Sequence, residues 1–289
     1  ADIALYYAKK IGRNCLVNAG EVIQEAVFAK TAINQLDDVK LVGRGQQLAR
    51  VTEALNKFSR HKNQFLIAEG PAGIGKSEFL ETIRRNLARI NIWRIKVNGD
   101  PQESFRPYYL FTRILVELLK QHPGKGASAI DSLIPVERAY LAQIIPQLGS
   151  KFMLPKDLNQ SSHRQFIFTA LHAFFQKLVG ERPIILFIDD IEFADEATLL
   201  LFRQLMRQLK AAIFICGSST SINKDQDAET KIPLQRFCAT YRDELDIQKL
   251  ELTPLSEADV AKHIRTIFPT ASLPENFEKR LAHISQGNP

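Results

Sequence analysis

Lys76 and Ser77 close an eight-residue run, Gly70-Pro71-Ala72-Gly73-Ile74-Gly75-Lys76-Ser77. It reads GxxxxGKS and lies directly after the apolar Phe65-Leu66-Ile67-Ala68 and before a helix-forming stretch. Glycines leave the backbone unshielded by Cβ atoms, so that consecutive N–H groups can point at phosphate oxygens, and the start of the following helix adds partial positive charge. The pattern predicts binding of a nucleoside triphosphate, ATP, with Mg²⁺. Gly70, Gly73 and Gly75 would form the cradle, Lys76 would reach the β- and γ-phosphates, and Ser77 would hold the Mg²⁺.

A second group of candidate residues ends the run Ile184-Ile185-Leu186-Phe187-Ile188-Asp189-Asp190. Continuous apolar character followed by acids is what a strand buried on both faces of a parallel sheet should show. Asp189, at the carboxyl end of such a Walker B strand, would approach Mg²⁺ through a water, and Asp190 would accept a proton from the attacking water. Acids after a strand also serve as helix N-caps, and that is the reading for Glu192 and Asp195.

The elements that must position these groups come from an ordinary globular composition: 289 residues, 45% hydrophobic and 24% charged, enough for one large or two modest cores. No segment approaches the ~18 apolar residues of a membrane helix. A soluble, cytoplasmic chain is expected. Cys15, Cys216 and Cys238 are few, odd in number and widely spaced, which suggests reduced, buried thiols rather than a disulfide framework or a zinc site. The six histidines show no metal-ligand spacing, so Mg²⁺ is the one metal implied. A net charge of +6 permits an acidic partner such as nucleic acid. The charges are scattered, however, and Arg84, Arg85 and Arg89 read as a solvated helix face. With Ala1 first and Pro289 last, the sequence reads as a piece of something longer.

Along the chain, residues 1–11 have helical composition, 14–18 read as a short strand, and 21–36 as a stiff linker helix. Residues 46–59 form an amphipathic helix ahead of a strand at 64–68. The helix after the phosphate loop is expected to reach Ile90, with a strand at 92–97 and an apolar helix at 108–120 behind it. Residues 121–159 give a mixed helical insert with no assigned placement. A helix at 163–178 follows, its Phe166, Phe168, Phe174 and Phe175 read as core filler. Beyond the Walker B strand come a helix (196–209), a buried strand (212–216), a helix (233–243), a strand (247–252) and two terminal helices (256–268 and 275–285). Strands alternating with helices predict an α/β fold: a parallel sheet covered by helices on both faces, with the start of a C-terminal helical lid.

Several motifs together resemble the regulatory P-loop ATPases of the STAND class, close to origin-recognition-type AAA modules. They are Leu41-Val42-Gly43-Arg44, the phosphate loop, Ile188-Asp189-Asp190-Ile191-Glu192-Phe193-Ala194-Asp195, Leu250-Glu251-Leu252-Thr253-Pro254-Leu255-Ser256, and Gly287-Asn288-Pro289. The resemblance implies that Gly43 and Arg44 border the adenine and that Pro289 packs on the nucleotide from the lid. One departure stands out. The strand after Walker B often ends in an arginine near the γ-phosphate in this class, and here it runs Cys216-Gly217-Ser218-Ser219-Thr220, which implies slow hydrolysis.

A second resemblance covers Ala1-Asp2-Ile3-Ala4-Leu5-Tyr6-Tyr7-Ala8-Lys9-Lys10-Ile11-Gly12-Arg13-Asn14, which is similar to the last helix and turn of GGDEF diguanylate cyclase domains. That family's phosphate contacts map to Lys9 and Arg13. The implied organisation is a GGDEF-like remnant at 1–18, a linker helix at 19–39, an AAA-type core at 40–252 and the start of a lid at 253–289. The implied function is an ATP-binding regulatory switch coupled to an upstream cyclase, with helical repeats as a further partner downstream and no membrane. A DNA-associated origin-recognition-type ATPase is the alternative, a small-molecule kinase the third reading, and Arg236 and Arg242 are candidates for trans-acting fingers.

Overall fold

From residue 64 onward, apolar strands alternate with helices and assemble a single parallel sheet. The computed structural model describes residues 41–87, 92–145, 160–180, 182–221, 228–268, 270, 274 and 276–289, with backbone alone at 160–164 and 228–231. The expectations for residues 1–40, including Cys15, the linker helix and the cyclase-like tail, lie outside the described residues. The strands are β1 (Gln64–Gly70), β2 (Trp93–Asn98), β3 (Ile184–Asp189), β4 (Ile213–Thr220) and β5 (Ile247–Glu251). They lie in the order β2-β3-β4-β1-β5. Every neighbouring pair is parallel.

The helices are α1 (Gly45–Ser59), α2 (Lys76–Asn86), α3 (Tyr109–Gln121), α4 (Pro123–Asp131), α5 (Pro135–Ile144), α6 (Gln160–Val179), α7 (Glu196–Gln208), α8 (Ala228–Tyr241), α9 (Glu257–Ile267) and α10 (Phe277–Ser285). No helix among the described residues is long and apolar enough to cross a membrane. The chain divides into two compact units, one of residues 1–62, 81–91 and 253–289, the other of residues 63–80 and 92–252.

The second unit holds the sheet. Phe65, Ile67, Ile95, Leu186, Ile188 and Ile215 join one cluster with Phe111, Phe174, Phe175, Phe202 and Phe237. Leu66, Ile185, Phe187, Phe214 and Cys216, which alternate with them along the strands, are buried too. Both faces are therefore covered, which is why β3 carries no polar residue before Asp189. Of the helix-α6 aromatics, Phe174 and Phe175 are core, Phe168 is partly buried against it, and Phe166 is exposed and stacked on Tyr140. Burial pushes the Cys216 thiol up to about 12 and Cys238 to about 11, so both stay protonated.

Three elements depart from expectation. β4 continues through Gly217-Ser218-Ser219-Thr220, which pair with Ile67 through Gly70 of β1. Helix α8 starts at Ala228 and carries Pro233 inside it rather than at its first turn. The unassigned insert contains α4 and α5, both begun by a proline.

The first unit contains α1, whose buried side is Val51, Ala54, Leu55 and Phe58, and the hairpin of α9 and α10. The hairpin closes on Leu255, Val260, Ile264 and Ala282, with an Arg265–Glu278 ion pair at 2.8 Å on its surface. Ser256 caps α9 as the sequence predicts, accepting the Asp259 N–H at 3.2 Å.

Candidate nucleotide-binding site

β1 delivers the phosphate loop at the carboxyl edge of the sheet. Gly73 (φ +80°) and Gly75 (φ +89°) adopt left-handed backbone that other residues take up only with strain. Gly70 is constrained by space instead: a Cβ there would lie 2.7 Å from the Leu252 carbonyl oxygen. The Lys76 ammonium folds back over the loop, donating to the Gly70 carbonyl at 3.0 Å and the Pro71 carbonyl at 2.9 Å. Lys76 is only 8% exposed, whereas Pro71, Ala72 and Gly73 of the loop are exposed. Ser77 is exposed beside it on the first turn of α2. The Gly70 carbonyl also accepts the Ser221 N–H at 3.0 Å, which ties the loop to the strand next door.

β3 ends at the same edge. Ile188 is level with Gly217 of β4, and Gly217 with Ile67 of β1, so Asp189 stands only two residues short of the level at which the phosphate loop leaves the sheet. Asp189 is 8% exposed. Its Oδ1 accepts a short hydrogen bond from the Ser218 hydroxyl, and that same hydroxyl accepts the Asp190 N–H at 3.0 Å. One serine thus holds Asp189 by its side chain and Asp190 by its backbone. Asp190 turns the chain in left-handed conformation (φ +53°). Gly99, just past β2, donates to the Asp189 carbonyl at 2.7 Å, and a Cβ on it would sit 2.1 Å from the Asp190 carbonyl oxygen.

The remaining acids sort differently from one another. Asp195 is the N-cap of α7, accepting the Thr198 N–H at 2.9 Å, and it also accepts the Tyr108 N–H at 2.9 Å. Glu192 caps no helix: it is buried in a short 3₁₀ turn and accepts the Thr220 N–H at 2.8 Å, pinning the end of β4.

In the first unit, three motifs far apart in sequence meet around Leu255. A Cβ on Gly43 (φ +71°) would lie 2.6 Å from the Leu255 side chain, and one on Gly287 (φ +76°) would lie 2.5 Å from the Leu255 carbonyl oxygen. The Leu255 N–H in turn donates to the Gly287 carbonyl at 2.9 Å. Arg44 is buried, with its guanidinium 2.6 Å from the Thr253 carbonyl. Burial lowers its pKa while Asp259 works the other way. Pro289 is exposed two residues beyond Gly287.

Gly70, Gly73, Gly75, Lys76, Ser77, Asp189 and Asp190 therefore share one sheet edge, whereas Gly43, Arg44 and Pro289 belong to the other unit. Gly99 is a structural partner that no motif names, while Ser218 and Glu192 stand in quoted segments without the partners they take here. Ser218 had one available signal, its place in the strand beside Walker B. The loop fits a phosphate chain, because its left-handed glycines and inward lysine leave backbone N–H groups free of side-chain cover. Among the described residues no three His, Cys, Asp or Glu side chains gather to hold a metal by themselves. Mg²⁺ takes one or two protein oxygens plus nucleotide phosphates, which Ser77 and Asp189 fit.

The family model for the AAA ATPase domain matches residues 40–216. No curated protein matches the sequence. Among solved structures, the Aeropyrum pernix Orc1 protein in complex with DNA is similar at TM-score 0.46 and 15% identity, over 87% of this chain and 56% of that one. The HORMA:CdnC:Trip13 complex of E. coli MS115-1 is similar at TM-score 0.41 and 12% identity, over 89% of this chain and 76% of the other. The chain thus spans just over half the length of the Orc1 chain. With a phosphate loop and an acid-tipped strand at one edge of a parallel sheet, and a family match over more than half its length, the protein belongs to the AAA ATPase domain family as an ATP-binding module.

Proposed function

We propose that the chain is the ATP-binding, slowly hydrolysing regulatory module of a STAND-class multidomain signalling protein, coupled to a diguanylate cyclase domain upstream. The observation that carries this reading is the end of β4. It supplies hydroxyls and no cation, and its Ser218 hydroxyl is already engaged by Asp189 and Asp190. A β4 end that adds no cation to Lys76 and Mg²⁺ suits a switch better than a motor. Lys76 would hold the phosphates, Ser77 and Asp189 the Mg²⁺, and Asp190 would take the proton of the attacking water; bound Mg²⁺ would supply charge neutralisation. Gly43, Arg44 and Pro289 would border the base when the lid closes. The convergence of their motifs on Leu255 supports a lid that carries them as one piece.

The cyclase assignment rests on Ala1 to Asn14 and on the organisation 1–18, 19–39, 40–252 and 253–289. It is tested by expressing a longer chain that includes the cyclase domain and measuring cyclic-di-GMP with and without ATP. ATP-responsive output is expected there, and none from residues 1–289 alone. A longer chain that ignores ATP would leave the ATPase as an independent module. The net charge of +6 favours one other reading, a DNA-associated ATPase. DNA affinity that falls steeply with salt would support it.

A further inference from the structure

One buried acid starts a path of hydrogen bonds that ends at the phosphate loop. Glu192 is 1% exposed and sits in the 3₁₀ turn Ile191–Phe193, directly after Asp190. That turn packs on β4, where a Cβ on Gly217 would lie 2.9 Å from the Ile191 side chain. The Glu192 carboxylate accepts the Thr220 N–H at 2.8 Å. Thr220 is the last residue of β4 and is level with Gly70, the last residue of β1. The next residue, Ser221, donates its N–H to the Gly70 carbonyl at 3.0 Å, and the Lys76 ammonium donates to that same carbonyl at 3.0 Å. Side-chain packing is interrupted here, because a cavity of about 180 Å³, whose lining includes Glu69, Glu192, Ser219, Thr220, Ser221 and Leu234, backs the end of β4. Hydrogen bonds therefore carry more of its placement, and one made to a carboxylate is stronger than one between neutral groups.

We propose that Glu192 is a positioning residue for the phosphate loop: through Thr220 and Ser221 it fixes the Gly70 carbonyl, and with it the level at which the loop and Lys76 leave the sheet. The inference rests on the assignment of that loop to nucleotide phosphates. Without the carboxylate, the Thr220 N–H loses this acceptor, the end of β4 can shift into the cavity, and the Ser221 N–H is drawn off Gly70. The loop must then be ordered when phosphate arrives, and that cost is subtracted from binding.

The test compares the parent chain with Glu192→Ala and with Glu192→Gln, whose amide oxygen can still accept the Thr220 N–H. Amide hydrogen exchange without nucleotide reads the path itself. Thr220, Ser221 and the loop residues Gly73 to Lys76 should exchange about tenfold faster in Glu192→Ala and like the parent in Glu192→Gln, while the amides of α3 stay unchanged. Calorimetric titration reads the consequence: the Kd for Mg-ATP should rise about tenfold in Glu192→Ala and stay within about threefold of the parent in Glu192→Gln. The proposal is overturned if Glu192→Ala exchanges like the parent at these amides, if exchange rises equally across the whole sheet, as plain loss of stability would give, or if Glu192→Gln behaves like Glu192→Ala. It is overturned equally if Glu192→Ala loses turnover with its affinity for Mg-ATP unchanged, which would mark a catalytic acid. Equal ATP affinity in the parent and Lys76→Ala would instead overturn the phosphate assignment on which the proposal rests. The exchange pattern, read without nucleotide, separates that failure from a failure of Glu192 to hold the loop.

Discussion

The Ser218 hydroxyl reaches across from β4 to hold the Asp189 carboxylate on β3, and it takes the Asp190 N–H in return. The position of the Asp189 carboxylate and the direction of the chain after it are therefore set by one fully buried side chain. Ser218→Ala should leave ATP affinity within a few-fold of the parent. It should raise the Mg²⁺ needed for any turnover, lower that turnover on the order of tenfold, and cost about 1–3 kcal/mol of stability through the partners left behind. Mg²⁺ titrations of ATPase rate alongside urea unfolding measure both. A variant indistinguishable from the parent would show that Asp189 is held by other means.

Lys76→Ala should abolish Mg-ATP binding while the domain stays folded. Of its two loop carbonyls, that of Gly70 keeps the Ser221 N–H and that of Pro71 belongs to an exposed residue, so neither is left without a partner. Calorimetric titration with a circular dichroism control decides the point. Unchanged nucleotide affinity would sink the phosphate-loop assignment.

Asp190→Asn keeps a residue type that tolerates left-handed backbone, so its fold should survive. Removing the basic oxygen should cut turnover on the order of a hundredfold with ATP affinity retained. Equal turnover in both proteins would place the base elsewhere. Asp190→Val, β-branched at the same φ, should by contrast lose stability as well.

The phosphate loop was legible because its chemistry is local: glycines, lysine and serine act through their own eight-residue backbone. β3 was legible because a doubly covered strand has nowhere to put a polar residue before Asp189. The tail of β4 was not, since Gly217 to Thr220 look like a loop until β1 and the acids of β3 and Glu192 supply their partners. Pro233 misled for the opposite reason, a breaker by local rules that sits inside α8 once the helix is packed. Nor can spacing reveal that Val42-Gly43-Arg44 and Gly287 meet at Leu255, because that contact exists only in three dimensions.

Gly99→Ala should be poorly tolerated although Gly99 belongs to no motif. Its Cβ would strike the Asp190 backbone, which cannot rotate away as a side chain could. A loss of about 1–3 kcal/mol is expected, with ATPase activity falling further than stability does. A fully stable, fully active variant would mean that the turn after β3 is free to shift.

Stability should also depend on pH through His122. Burial and the nearby Lys125 and Arg182 lower its pKa below the usual 6.5, so the unfolded chain binds this proton more readily than the folded one. His122 therefore imposes no loss above about pH 6.5, and destabilises progressively as pH falls from there toward its lower folded-state pKa. Denaturation midpoints between about pH 7.5 and 5.5 should slope less in His122→Gln than in the parent. Identical slopes would remove His122 from the acid response.

β1 and β3 carry the two halves of the candidate ATP site, yet they are not neighbours, for β4 runs between them. Two strand spacings, about 9–10 Å, consequently separate the strand that bears the phosphate loop from the strand that bears Asp189. That distance is a fixed gauge, set by main-chain hydrogen bonds rather than by any loop. Domain closure or partner binding can tilt what surrounds the nucleotide, but it cannot widen this gap without tearing the centre of the sheet. Any conformational change must then work on what approaches the slot from outside, while the slot itself keeps one calibre.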